Sequence, residues 1–165
     1  MASVANSSHL PALAEPHERE AIGGELQPTL HDLVSLTLIG KQLHWAVVGP
    51  LFRSLHLELD ELVDSWHELA DIVAERAVAL GYVPDGQAAA VAAGSHVKPV
   101  SQGRIEDHVV GWELTNRIAQ VSEFGRARMD RLGQVDAGSQ DVLIDVVRKL
   151  EEQQGMLRAQ LVGRS

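Results

Sequence analysis

Thirty consecutive residues, Leu51 to Leu80, contain neither glycine nor proline and lie between the breakers Gly49-Pro50 and Gly81. Within them Leu55, Leu59, Leu62, Val63, Trp66, Leu69 and Val73 recur every three or four residues, the spacing of one helical face. A helix of that length extends about 45 Å. Only other long helices can cover an apolar stripe of that reach, so the segment commits the chain to a helical bundle.

The flanking sequence supplies the partners. A first helix is expected from about Glu25–Pro28, where proline suits a first turn, to about Val47, with Leu26, Leu30, Leu33, Val34 and Leu38 as its stripe. A third fits Gly103 to Leu132, although Gly111 and Gly125 weaken it locally. Ser139 is expected to cap a fourth from about Gln140 to Leu161. Residues 82–102 form a long connection with an Ala-rich stretch able to make one or two turns. Residues 1–24, rich in Ser, Ala, Pro and Glu, read as a flexible N-terminal tail, and 162–165 as a short C-terminal one. Four long helices with one long middle crossover predict an all-α fold over 25–161: a ferritin-like four-helix bundle with a short helix in the crossover.

At 165 residues the chain suits one well-cored domain. It has no cysteine, which excludes disulfides, zinc–thiolate sites, iron–sulfur clusters and thiol catalysis. No apolar run approaches the roughly 20 residues of a membrane span. The N-terminus lacks the basic start and apolar core of a signal peptide, so a cytoplasmic location is expected.

Chemistry concentrates between Lys41 and Gly81. His44, His56, Asp60, Asp71 and Glu75 offer imidazole nitrogen and carboxylate oxygen, the ligand set of a first-row metal such as iron, manganese or zinc. His56/Asp60 and Asp71/Glu75 are each four residues apart and share a helix face. Asp60 and Asp71, however, stand roughly 16 Å apart along the axis, far beyond the reach of a metal whose bonds are about 2 Å long. Two antiparallel copies about a two-fold axis can bring the His56/Asp60 end of one chain to the Asp71/Glu75 end of the other, twice per dimer. A site within one subunit would need Glu-x-x-His pairs on two further helices. The nearest match is Asp64-x-x-His67, and the fourth helix has no histidine.

These motifs, K-Q-x-H-W at 41–45, then H-x-x-x-D at 56–60, then D-x-x-A-E-R at 71–76, resemble those of Dps, the DNA-binding proteins from starved cells. The resemblance spans about Leu26 to Gln160. It implies a hollow homododecamer of ferritin-like subunits that takes up iron, oxidises Fe(II) preferably with hydrogen peroxide, stores ferric mineral and so protects DNA from oxidative damage. By the same resemblance His44, His56 and Asp60 come from one subunit, and Asp71 and Glu75 from its neighbour. Trp45 falls beside the site, where its ring could intercept a one-electron oxidant; a packed core aromatic is the other reading. His67, on the Asp60–Asp64–His67–Asp71 stripe, is either a support for the ligands or an exposed helix residue. Asp136, Asp141 and Asp145 match the region where the family lines iron-entry pores with carboxylates, although acidic residues suit any helix N-terminus. His9, Glu15 and His17 could form an accessory metal site. Gly155 replaces a tryptophan common in the family and leaves space in the fourth helix.

DNA binding is expected to be weak or absent. The charge is −9, and the first 24 residues hold only Arg19 against Glu15, Glu18 and Glu20, too few cations to displace phosphate counterions. The rival readings are a nucleoid-compacting DNA-binding protein with secondary iron chemistry, and an oligomer held by structural zinc or manganese without turnover.

Overall fold

The computed structural model describes residues 14–162. Its elements are α1 (Pro16–Ala46), β1 (Val47–Val48), α2 (Phe52–Ala79), α3 (Ala88–Gly94), β2 (Ile105–Glu106), α4 (Asp107–Leu132) and α5 (Ala137–Leu161). α1 packs chiefly on α2, α4 packs on α5, and α1 also meets α4 and α3. Two helical hairpins joined by the crossover thus make the expected all-α, ferritin-like bundle, with α3 as the short crossover helix. All seven residues of the α2 stripe, Leu55 to Val73, are buried.

At the centre stands Trp66, fully buried. Its indole Nε1 donates to Gln153 Oε1 (2.8 Å), and Gln153 Nε2 donates to Ser65 Oγ (3.0 Å). The tryptophan therefore buries its ring without orphaning its N–H. This link fixes α5 against α2.

A second polar knot holds the crossover. Asp32 of α1 is wholly buried, and its Oδ2 lies 2.8 Å from Nη2 of Arg128, also buried, on α4. That approach does not satisfy hydrogen-bond geometry, so the attraction is chiefly coulombic. Asp32 Oδ1 accepts from the backbone N–H of His96 (2.7 Å) in the connection. One carboxylate ties together α1, α4 and the loop between α3 and β2.

The structure corrects several expected boundaries. α1 begins at Pro16, not near Glu25, so the predicted tail over 1–24 is helical from Pro16 onward. The Glu15 amide donates to Glu18 Oε2 (3.1 Å), the signature of a capping box, and Pro16 occupies the first helical position. Gly23, expected to end a tail, is buried where a Cβ would run into the Tyr82 ring. It is a close-packing glycine. Pro28 sits inside α1 and leaves the carbonyl of exposed Gly24 without its helical donor. At the far end, Asp136 and not Ser139 caps α5: its side chain accepts from the Ser139 N–H at 2.8 Å. α4 starts at Asp107 because Ile105–Glu106 pairs in parallel with Val47–Val48. Gly155 is exposed, with open space where a Cβ would stand. His9 lies outside the described residues.

Replacing Asp32 by Ala strands the Arg128 guanidinium in the core. The unfolding free energy from denaturant titration is expected to fall by about 3–5 kcal/mol. A loss below about 1 kcal/mol would show that the knot contributes little.

Candidate metal centre

The α1–α2 corner assembles the first three candidate ligands. α1 ends just after His44 and Trp45, the chain passes through β1 and Gly49-Pro50, and α2 begins at Phe52. Gly49 has φ +121°, and a Cβ there would meet Asp107 Oδ2 at 2.7 Å. That carboxylate, buried at the start of α4, accepts the Leu51 N–H (2.6 Å) at the N-cap of α2. The tight reversal thus depends on glycine geometry and on an acid contributed by the other hairpin.

Across this corner the histidines bond reciprocally. His44 Nδ1 lies 2.9 Å from the His56 carbonyl, and His56 Nδ1 lies 3.1 Å from the His44 carbonyl. A carbonyl only accepts, so both Nδ1 atoms carry a proton, and in the neutral imidazoles the lone pair is left on Nε2. The rings stack with centroids 3.6 Å apart. Asp60, one turn along α2 from His56, brings Oδ1 to 3.2 Å from His44 Nδ1 and 2.6 Å from Lys41 Nζ. The hydrogen bond from the Lys41 ammonium outweighs the opposing effect of partial burial and holds the Asp60 carboxyl below the usual aspartate value. Two fixed imidazole tautomers beside an ionised carboxylate fit a divalent first-row cation.

Asp71 and Glu75 do not join them. Both are exposed on α2, about three turns further on, and neither pairs with a cation among the described residues. Among the described residues of one chain, no three His, Asp or Glu side chains converge as a metal cage. The structure places His44, His56 and Asp60 side by side at the corner, without closing a cage, and leaves Asp71 and Glu75 apart.

The surroundings of the half-site are apolar and uncovered. Trp45 is 71 % exposed and Leu38, two turns earlier on α1, is 61 % exposed. This corrects the core reading of Trp45 and the inclusion of Leu38 in the buried stripe. Phe52, ring to ring with His56 at 5.0 Å, is also partly bare. Large apolar side chains grouped beside polar ligands are typical of surfaces that meet a partner. His67 is exposed on α2.

The predicted pore residues are dispersed in role. Asp136 receives Arg76 Nη2 (2.7 Å) besides capping α5. Burial pushes its carboxyl up, but the hydrogen bonds from Ser139 and Arg76 together outweigh it and hold it below the usual value. Asp141 is exposed, and exposed Asp145 lies 3.1 Å from Arg148. Of the accessory set, Glu15 is the N-cap of α1 and His17 is exposed in its first turn. Sequence reasoning did not assign Lys41 and Asp107. Lys41 carried a signal, lying one helical turn before His44; Asp107, 56 residues from Leu51, carried none.

The sequence matches the ferritin-like domain over residues 24–163. The fine tangled pili major subunit of Haemophilus ducreyi is 34% identical over 85% of this chain and 74% of its own. The DNA protection during starvation protein of Mycolicibacterium smegmatis is also 34% identical, over 82% of this chain and 74% of its own. Among solved structures, DpsA14 from Streptomyces coelicolor aligns with a TM-score of 0.85 at 36% identity, covering 89% of this chain and 88% of that one.

Two measurements probe the contacts around Asp60 and Asp136. Lys41→Met removes the ammonium that competes for Asp60, so anaerobic Co(II) or Fe(II) affinity should rise about two- to fivefold, the scale of a partly exposed ion pair; weaker binding would mean that Lys41 assists the metal. Asp136→Ala should cost about 1–2 kcal/mol of stability at neutral pH. Because the folded carboxyl is held low, that contribution is present above the ordinary aspartate value of about 3.9 and is lost as pH falls through the lower folded value. The gap between variant and wild type should close in that range.

Proposed function

The chain belongs to the Dps family of ferritin-like proteins, and on that premise we propose that it is a ferroxidase and iron store whose active centres lie between subunits. His44, His56 and Asp60 of one chain would face Asp71 and Glu75 of a second. The observation that carries this reading is the incomplete half-site at the α1–α2 corner, bordered by bare Trp45 and Leu38. One antiparallel register of two α2 helices satisfies both ligand pairs, since His56 and Glu75 stand equally far from the point between Ser65 and Trp66, as do Asp60 and Asp71. Each dimer would hold two centres.

Fe(II) is the substrate. The imidazole Nε2 lone pairs would accept it, and the carboxylates, being hard oxygen donors, favour the Fe(III) product. Two Fe(II) ions supply the two electrons that reduce one hydrogen peroxide, so no hydroxyl radical is released. Ferric product would then collect in a hollow dodecamer, and DNA would be protected without being bound. The charge of −9 per chain supports weak or absent DNA contact. No helix among the described residues is long and apolar enough to cross a membrane. The name of the Haemophilus relative raises a fibre role; a closed particle of twelve chains in light scattering would count against open-ended assembly.

The test is anaerobic loading with Fe(II), then substoichiometric hydrogen peroxide, following ferric absorbance and radical trapping. Two Fe(II) should be consumed per peroxide with little radical. Asp71→Ala or Glu75→Ala should slow oxidation by more than about tenfold, at least the cost of losing a residue that merely supports a ligand, with the oligomer intact. Oxidation no faster than in protein-free buffer would sink the proposal, and collapse of the oligomer would favour a structural metal.

A further inference from the structure

The antiparallel α2–α2 register proposed for the ferroxidase centres puts a second constellation on the two-fold axis, one that rests on that reading. Asp64 lies four residues after Asp60, and His67 four before Asp71, so all four side chains share the ligand-bearing face of α2. Asp64 and His67 are exposed, and neither has a hydrogen-bond or ion-pair partner among the described residues. Like the ligand pairs, they stand equally far from the point between Ser65 and Trp66. An antiparallel α2–α2 contact therefore sets His67 opposite Asp64 of the partner subunit, and Asp64 opposite His67 of the partner subunit. Two imidazoles and two carboxylates would then fall within roughly 4.5 Å along the axis.

We propose that this cluster binds a first-row divalent cation, one per pair of subunits, at a site separate from the ferroxidase centres. A cation held on the axis would meet both carboxylates at once and offset their mutual repulsion. Unprotonated imidazoles add two nitrogen donors. The resulting two-nitrogen, two-oxygen set suits the four-coordinate preference of Zn2+ or Co2+. No single chain can form the site, and the bound ion would join α2 to its symmetry mate at the midpoint between the two oxidation centres.

Co(II) is the probe, because its visible ligand-field bands report donor type and geometry. In metal-stripped Glu75→Ala oligomer, where the ferroxidase ligands are incomplete, one Co(II) per two chains should remain tightly bound with a strong four-coordinate spectrum. Adding Asp64→Asn or His67→Gln should weaken that binding by more than about tenfold and bleach the bands. Asp64→Asn alone should leave the rate of Fe(II) oxidation unchanged. Equal Co(II) uptake with and without Asp64→Asn or His67→Gln, or no bound ion in an intact Glu75→Ala oligomer, would overturn the axial site. A wild-type oligomer that holds the axial ion but fails to oxidise Fe(II) would refute the ferroxidase reading alone.

Discussion

A straight helix advances about 1.5 Å with each residue and cannot turn back on itself. α2 is such a helix, unbroken from Phe52 to Ala79, and it carries four of the five expected ligands. Its stiffness keeps His56 and Asp60 apart from Asp71 and Glu75, whatever the rest of the chain does. The remainder of the fold packs on the inner face of α2. α1 covers the inner stripe, α5 reaches Trp66 through Gln153, and the uncovered apolar side chains are left beside the half-site.

Within the half-site, electrostatics and hydrogen bonding divide the work. The two backbone carbonyls hold a proton on each Nδ1 and so fix the orientation of both rings. Lys41 holds the Asp60 carboxyl below the usual aspartate value. The histidines are thus prepared by the main chain and the carboxylate by a neighbouring side chain.

The bundle was readable in the sequence because an apolar repeat of three and four is a local signal, and the α2 stripe is buried in full. The separation of Asp60 from Asp71 was readable too, since helix rise converts spacing into distance. Elsewhere the signals were weaker or non-local. Gly23-Gly24 looks like a break until Tyr82, nearly sixty residues later, is placed against it. Ser139 and Asp136 are both good caps, and only the fold, with Arg76 at hand, selects Asp136. Trp45 is as large and apolar as any core residue; that it lies outside reflects the rotation of α1, which its sequence encodes poorly. Asp107 was invisible because its partner lies across the bundle.

The corner that holds the histidines is fastened to the crossover at two places. β1 pairs with β2, and Asp107 grips Leu51 at the start of α2. The first turns of α2 and α4 are thereby one mechanical unit, and neither can fray without undoing the other. Local opening of the corner has to be cooperative. The imidazoles would then lose their fixed orientation together, in a single event rather than by gradual loosening.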